Sequence, residues 1–301
     1  QIASVIVGQE QMVDLVLTAI LANGHVLIEG VPGVAKTLLA RLVARLIDAD
    51  FSRIQFTPDL MPSDVLGTTV FNMKTNEFDF HQGPIFADIV LVDEINRAPA
   101  KTQAALFEVM EERQVSIDGT THRMGELYTI LATQNPVEQE GTYKLPEAQL
   151  DRFLMKITMD YPSLEEEVNI LERHHTNAAL VKLEDVSPVL TKEELLSLRA
   201  LMSRVFVDRT LLQYIALIVQ QTRTSKAVYL GASPRASVAM LQSSKAYALL
   251  QGRDFVTPED IKFVAPYVLQ HRLILTAEAE MEGYSPVKVT QRLIDKVEVP
   301  K

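Results

Sequence analysis

The stretch HVLIEGVPGVAKT, from His25 to Thr37, decides the fold of this chain. Its first five residues are mostly apolar and predict a buried strand, and a helical pattern begins at Lys36. A buried strand that runs through a glycine-containing loop into a helix opening with Lys-Thr is the setting of a phosphate-binding loop. In such a loop, backbone N–H groups and the helix N-terminus surround the phosphates. We therefore predict an anion site over this loop.

The predicted site consists of eight consecutive residues: Gly30, Val31, Pro32, Gly33, Val34, Ala35, Lys36 and Thr37. Lys36 would place a compact positive charge near the β- and γ-phosphates of ATP, and the hydroxyl of Thr37 would ligate Mg²⁺. The pattern departs from the usual one at Ala35, where a glycine is common. A methyl group is tolerated there if the backbone is already close to helical. We expect ATP and Mg²⁺ as the ligands.

The rest of the first half alternates short β-rich runs with helical patterns. The predicted strands are His25–Glu29, Ser52–Phe56, Ile89–Val92, Tyr128–Ala132 and Phe153–Thr158. The predicted helices are Gln11–Leu21, Lys36–Ile47 and Thr102–Glu112. This alternation predicts an α/β domain, an αβα core around a five-stranded parallel sheet. Two predicted hairpins interrupt it, at Gly67–Phe80 and at Val115–Arg123 with its Asp-Gly turn.

After Tyr161 the strand signal almost disappears and helical patterns continue to the end of the chain. Ser163 with Glu166 and Thr191 with Glu194 form capping boxes, and Thr257-Pro258 is a strong helix start. We therefore predict an all-α lid domain over residues 163–301, after a nucleotide-binding core over residues 1–162.

Polar side chains end two of the predicted strands. Asp93 and Glu94 follow an apolar run, and Asn135 follows the next strand in the segment TQNP. Carboxylates are costly inside a sheet, so their place is at its carboxyl edge, where open α/β sheets bind ligands. Asp93 would hold the Mg²⁺ shell, Glu94 would orient and deprotonate the attacking water, and Asn135 would sense the γ-phosphate.

The composition sets limits on function. Hydrophobic residues make up 47% and charged residues 23%, the net charge is −10, and there is no cysteine. The negative net charge argues against a nucleic-acid partner, because proteins that bind phosphate backbones usually carry an excess of basic residues. The lack of cysteine excludes disulfides and thiolate metal sites, and we expect a cytoplasmic location. No apolar run approaches the roughly 18 residues of a membrane span.

Four segments together closely resemble MoxR proteins of the AAA+ superfamily. They are the loop GVPGVAKT, the acidic strand LVDEINRAP, the segment TQNP and the run PEAQLDRF at Pro146–Phe153. The resemblance covers nearly the whole chain, and the alanine at position 35 is itself typical of MoxR members. The two predicted hairpins are similar to inserts of the subgroup that also includes the magnesium-chelatase ATPase subunit. In that group the hairpins face the central pore of a ring.

The resemblance implies roles for further residues. Val7, Gly8 and Gln9 are similar to the AAA+ segment beside the adenine. Arg152 would be the arginine finger that reaches the γ-phosphate of the neighbouring subunit, with Arg97 as the second candidate. Arg235, in the segment GASPRA, would be the sensor 2 arginine of the lid.

The resemblance also implies what the protein does. It would hydrolyse ATP to ADP and phosphate as a homo-oligomer, usually a hexameric ring. It would act as a chaperone-like motor that matures or remodels protein complexes, often with a von Willebrand A-domain partner. Three alternatives stay open: the motor subunit of a metal chelatase, a nucleic-acid motor, and a nucleotide-gated scaffold without turnover. The presence of Lys36, Asp93, Glu94 and Asn135 together argues against the scaffold.

Overall fold

A computed structural model describes residues 9–31, 36–136, 141–159, 161, 163–175 and 186–300. The chain divides into two compact units, and each is considered by itself. The first contains the described residues of 1–13, 25–145 and 158–196, and the second those of 14–24, 146–157 and 197–301. The predicted domain boundary near Pro162 stays a prediction, since Pro162 lies outside the described residues.

Five strands form the main sheet: β1 (Val26–Gly30), β2 (Phe51–Gln55), β5 (Ile89–Asp93), β8 (Thr129–Gln134) and β9 (Met155–Met159). Their order across the sheet is β2-β5-β8-β1-β9. The pairs β2–β5, β5–β8 and β1–β8 are parallel. The predicted five-stranded parallel sheet is therefore confirmed, with each strand within two residues of its predicted bounds.

The central strands are apolar because both of their faces are covered. All five residues of β5 are buried, as are the first five of β8. A parallel strand between two helical layers has no solvated face, so its sequence is a continuous apolar run without alternation. Asp93 and Gln134 stand at the carboxyl ends of these two strands, and the other polar residues of β8 are the buried Thr129 and Thr133.

The described helices are α1 (Glu10–Leu21), α2 (Lys36–Leu46), α3 (Pro62–Leu66), α4 (Ala100–Glu112), α5 (Glu147–Leu150), α6 (Leu164–His175), α7 (Lys192–Leu201), α8 (Arg209–Thr224), α9 (Pro234–Leu250), α10 (Pro258–Leu269), α11 (Ala277–Met281) and α12 (Pro286–Lys296). The three helices predicted in the first half are confirmed as α1, α2 and α4. The short helix α3 was not predicted, because a single turn carries too little apolar periodicity.

Both predicted hairpins are present in the first unit. Strands β3 (Gly67–Asn72) and β4 (Glu77–Gln82) form one, and β6 (Gln114–Ile117) and β7 (Thr120–Arg123) form the other. Asp118 and Gly119 both have positive φ, 49° and 80°. Two consecutive left-handed residues match the twist of the flanking strands, which is why an Asp-Gly pair predicts this turn.

The second unit is mainly helical, as the lid prediction requires, but it also contains a short antiparallel pair of strands. These are β10 (Val228–Leu230) and β11 (Ile274–Leu275). Strands of two or three residues are too short to show alternation, so the sequence gives no sign of them. The helix α12 has a usual start at Ser285-Pro286, with the Ser285 hydroxyl accepting from the Lys288 N–H at 3.3 Å.

The predicted capping boxes are confirmed at Ser163 with Glu166 and at Thr191 with Glu194. Within the ranges given above, no helix is long and apolar enough to cross a lipid bilayer. The cytoplasmic location stays a prediction.

Candidate active site

Functional side chains gather at the carboxyl edge of the sheet in the first unit. The neighbouring strands β5, β8 and β1 are parallel, so their carboxyl ends lie along one edge. Asp93 ends β5, Asn135 follows β8, and Gly30 ends β1. Open parallel sheets bind ligands at such an edge. The structure therefore places Asp93, Glu94 and Asn135 at one edge of the sheet, and their roles stay predictions.

The Asp93 carboxylate is held on both of its oxygens. Oδ2 accepts a charge-assisted hydrogen bond of 2.6 Å from Nε of Arg53, and Oδ1 accepts one of 3.1 Å from the Thr133 hydroxyl. The Thr133 hydroxyl oxygen in turn accepts the backbone N–H of Glu94 at 3.0 Å. The Asp93 side chain is only 10% exposed, so these bonds replace much of its lost hydration. Thr133 thus links both acidic residues to the adjacent strand.

Glu94 has a left-handed backbone, with φ 57° and ψ 50°, at the start of a short 3₁₀ turn, Ile95–Arg97. For a residue other than glycine, this conformation costs about 1–3 kcal/mol and is concentrated at active sites. Its Oε2 accepts a hydrogen bond of 2.9 Å from the Gln55 amide and pairs with Nε of Arg97 at 3.0 Å. The carboxylate therefore has a defined position.

Lys36 lies in the field of these acids. Its Nζ donates a hydrogen bond of 2.6 Å to the Gly30 carbonyl oxygen. Burial lowers the pKa of Lys36 from its ordinary value, and the charges of Asp93, Glu94 and Glu29 act in the opposite direction. The ammonium group is thus close enough to the carboxylates of β5 for electrostatic interaction, at the start of α2.

The turn after Glu94 is held by the buried side-chain amide of Gln103. Nε2 of Gln103 donates to the carbonyl oxygens of Ile95 and Ala98, at 3.2 and 3.1 Å. The Asn96 carbonyl accepts the N–H of Tyr143 at 2.6 Å. Backbone groups in a buried turn need such partners, because an unmade hydrogen bond there is costly. The position of Arg97 is therefore set by the packing of α4.

The other predicted site residues are distributed over both units. Thr37 is the second residue of α2, while Arg152 and Arg235 belong to the second unit. Val7, Gly8, Pro32, Gly33, Val34 and Ala35 lie outside the described residues. Gln9 precedes α1, and its Oε1 is buried without a hydrogen-bond partner in the described part of the chain.

Sequence reasoning missed three residues of this edge: Arg53, Gln55 and Thr133. Arg53 and Gln55 are two apart on β2, so their side chains point to the same face. In the register of the sheet, Gln55 lies opposite Asp93. Their position at the end of a strand was a usable signal, but which strand would pair with β5 could not be known from β2 itself.

Two family comparisons agree with this geometry. Residues 25–155 match the ATPase family associated with various cellular activities (AAA), and residues 220–295 match the AAA lid domain. The parallel sheet, its acidic edge and the lysine at the start of α2 are the parts that a nucleotide-hydrolysing enzyme of this class needs. The chain is an AAA ATPase.

Relatives define the family more closely. The chain is 45% identical to Chaperone MoxR1 of Mycobacterium tuberculosis, over 100% of this chain and 81% of that protein. It is 49% identical to the protein YeaC of Bacillus subtilis, over 98% of this chain and 92% of YeaC. A solved structure from Cytophaga hutchinsonii, described as a candidate ATPase, covers 100% of this chain and 93% of its own, with a TM-score of 0.90 and 42% identity. The chain belongs to the MoxR family of AAA+ ATPases.

A more distant relative bears on the chelatase alternative. The magnesium-chelatase 38 kDa subunit of Rhodobacter capsulatus is 26% identical over 90% of this chain and 87% of that subunit. The chain is therefore much more similar to MoxR1 than to this chelatase subunit.

Proposed function

We propose that the chain hydrolyses ATP to ADP and phosphate with Mg²⁺ at the carboxyl edge of the sheet. One observation carries the proposal: Asp93 and Glu94 stand at the carboxyl end of β5, on the same edge of the sheet as Gly30 of β1, whose carbonyl oxygen accepts a hydrogen bond of 2.6 Å from Nζ of Lys36. Two carboxylates beside one ammonium group provide a place for a metal ion, a base and a phosphate contact.

The described residues fit a nucleotide with its metal. Thr37 and Asp93 would hold Mg²⁺, which prefers such hydroxyl and carboxylate oxygens. A metal ion held there would supply positive charge beside the phosphates and so would stabilise the negative charge that develops during transfer. Lys36 would contact the β- and γ-phosphates. Oε1 of Gln9, buried and without a hydrogen-bond partner among the described residues, is an acceptor of the kind that an adenine amino group satisfies.

Glu94 would act on the attacking water. In the resting site its carboxylate contacts Gln55 and Arg97, at 2.9 and 3.0 Å, and its backbone is left-handed. A base must lie within hydrogen-bond reach of the proton that it removes. Asn135, buried after β8, would contact the γ-phosphate or the water.

Arg152 would be the finger that acts on the nucleotide of a neighbouring subunit, and Arg235 would be sensor 2. The choice of Arg152 over Arg97 is supported by the ion pair between Arg97 and Glu94 of the same chain. That pair uses the Arg97 guanidinium within its own site. An arginine finger supplied in trans is worth about 10³–10⁵ in turnover.

The exposed face of the first hairpin supports a role in handling other proteins. Phe71 and Phe78 lie side by side, with ring centroids 5.2 Å apart, and are 44% and 72% exposed. Met73, in the turn, is 90% exposed. Exposed apolar groups of this kind mark interaction surfaces. The acidic residues Glu77 and Asp79 on the same hairpin disfavour nucleic acid.

The biological role would be that of a chaperone-like motor for maturing or remodelling protein complexes. The higher identity to a protein named Chaperone MoxR1 supports this role over that of a chelatase subunit. The working form would be a homo-oligomer, a hexameric ring, and a von Willebrand A-domain protein would be its partner.

The test is ATPase activity per subunit, measured over a wide range of protein concentration. Specific activity should rise with concentration for the wild type and stay low for Arg152→Ala. The matched control is Arg209→Ala, an exposed arginine of the same unit, which should behave like the wild type. Activity independent of concentration would refute the shared site.

A binding measurement tests the phosphate contact separately. Lys36→Ala should weaken ATP binding by about 10- to 100-fold, because it removes a hydrogen bond between charged groups. Unchanged affinity would mean that the phosphates bind elsewhere.

A further inference from the structure

The segment that carries Arg152 is held by three consecutive residues of the second unit. Gln270 donates through Nε2 to the Lys156 carbonyl oxygen. His271 contacts the Phe153 carbonyl oxygen through Nε2 at 3.0 Å. Because a carbonyl can only accept, Nε2 of His271 carries the proton. Arg272 is the third of these residues, and it donates more hydrogen bonds than the other two.

Arg272 uses all of its guanidinium nitrogens. Nε donates to Oδ1 of Asp151 at 2.6 Å, and Nη2 donates to the carbonyl oxygens of Asp151 and Phe153, at 3.2 and 2.8 Å. Nη1 donates to the carbonyl oxygens of Leu154 and Val268, at 3.2 and 2.5 Å. A guanidinium has five N–H donors in a rigid fork. Three of the five bonds, to the carbonyl oxygens of Asp151, Phe153 and Leu154, therefore fix the backbone on both sides of Arg152.

The environment of Arg272 shows how much this arrangement depends on the carboxylate. Its side chain is 4% exposed, whereas that of Asp151 is 22% exposed. Burial lowers the pKa of Arg272 from its ordinary value, and the hydrogen bond and charge of Asp151 oppose that effect. A buried charge that loses its partner strongly destabilises the folded state. Replacing both partners by apolar residues of similar volume, in contrast, is often neutral.

The second carboxylate oxygen of Asp151 reaches the helix that carries Arg235. The Ser233 hydroxyl donates to Oδ2 of Asp151 at 3.4 Å. Ser233 is the N-cap residue of α9, yet its side chain accepts no bond from that helix. A serine at this position usually caps its own helix, but here the hydroxyl contacts the residue next to Arg152 instead.

We propose that Asp151 and Arg272 are positioning residues for Arg152, fixing the backbone from which the finger reaches the neighbouring subunit. The proposal rests on the proposed function, since it requires Arg152 to act in trans. It adds that the finger depends on the ion pair between Asp151, the residue before it, and Arg272. Neither Asp151 nor Arg272 needs to touch the nucleotide.

The test uses mixed rings in which finger and base come from different subunits. Glu94→Gln subunits keep the finger but lack the base, and Arg152→Ala subunits keep the base but lack the finger. Each variant alone should be nearly inactive, and a mixture assembled before ATP is added should recover activity. Recovery occurs only where a Glu94→Gln subunit supplies Arg152 to an Arg152→Ala neighbour.

Arg272→Lys is then added to one type of subunit at a time. On the Glu94→Gln finger donor it should lower the recovered activity by about 10- to 100-fold, since a misplacement of about 1 Å can cost about 10²-fold. On the Arg152→Ala acceptor it should leave recovered activity within about twofold, because that subunit supplies no finger. Asp151→Asn should show the same asymmetry.

Arg253→Lys is the matched control. Arg253 and Asp260 form a second ion pair in the same unit, with bonds of 2.8 and 2.5 Å and no contact to the 151–156 segment among the bonds described. Its loss should affect donor and acceptor subunits equally. The melting temperature of each variant, measured by circular dichroism, separates unfolding from misplacement.

The outcomes are distinguishable. Equal effects of Arg272→Lys on donor and acceptor, or no effect on either, would overturn the positioning role while leaving the shared site intact. Failure of the parent mixture to recover any activity would overturn the proposed function itself. A donor-specific loss with an unchanged melting temperature supports the proposal.

Discussion

The Gln55 side-chain amide donates a hydrogen bond of 2.9 Å to Oε2 of Glu94, and thereby joins the end of β2 to the residue after β5. The same oxygen pairs with Arg97. A carboxylate oxygen that already receives two donors is less available to a water molecule. In the resting site, Gln55 and Arg97 therefore limit the access of water to this oxygen of Glu94.

This restraint gives a prediction for Gln55→Ala. Basal ATPase should rise by about 2- to 10-fold, the equivalent of one ordinary hydrogen bond, with little change in KM for ATP. Steady-state kinetics check it, with the exposed Gln213→Ala as control. A fall in turnover would show that Gln55 aligns Glu94 for attack and does not restrain it.

Glu94→Gln should separate binding from turnover. The amide keeps the shape of the side chain but cannot accept the proton of the attacking water, so turnover should fall by about 10²- to 10⁴-fold. Affinity for ATP, measured with a fluorescent analogue, should stay close to that of the wild type. Turnover near the wild-type rate would remove Glu94 as the base.

Arg53→Gln should reduce the Mg²⁺ requirement. Arg53 is half exposed and pairs with the Asp93 carboxylate that we assign to the metal shell. Loss of this competing charge should lower the Mg²⁺ concentration for half-maximal activity by about two- to fivefold, as expected for a partly exposed pair. The exposed Arg41→Gln should have no such effect. A higher requirement would show that Arg53 helps to hold Asp93 in place for the metal.

The buried His271 predicts a pH dependence of stability. Burial, with the charges of Arg272 and Lys156, lowers the pKa of His271 well below its ordinary value. In the unfolded chain it titrates near its ordinary value, about 6.5. Below that pH the unfolded state binds more protons, so the stabilising contribution, complete above about pH 6.5, is lost as the pH falls toward the folded pKa.

Urea unfolding followed by circular dichroism from pH 8 to pH 5 checks this prediction. His271→Gln should flatten the pH dependence by up to about 1.4 kcal/mol per pH unit, the effect of one proton. The control is His81→Gln, an exposed histidine of β4, which reports any general effect of replacing a histidine by glutamine. An identical slope in His271→Gln would contradict the assignment.

The fold was predictable where periodicity and charge were strong. Ile89–Asp93 is an apolar run ending in an acid, and both the strand and its functional edge follow from that pattern. The partners Arg53 and Gln55 were not predictable, because their contacts depend on which strand lies beside β5. The hydrogen bond of Ser233 to Asp151 was not predictable for the same reason. Its sequence position predicts a cap, but its hydroxyl donates to Asp151, 82 residues away along the chain.

The left-handed backbone of Glu94 has a consequence for how such sequences diverge. Glycine adopts that conformation without the cost that a side chain incurs there. A gene copy freed from selection for turnover could exchange Glu94 for glycine, which would remove this backbone cost together with the contacts to Gln55 and Arg97. Among descendants of this chain, glycine at position 94 would therefore mark a lineage that has kept the fold and abandoned catalysis.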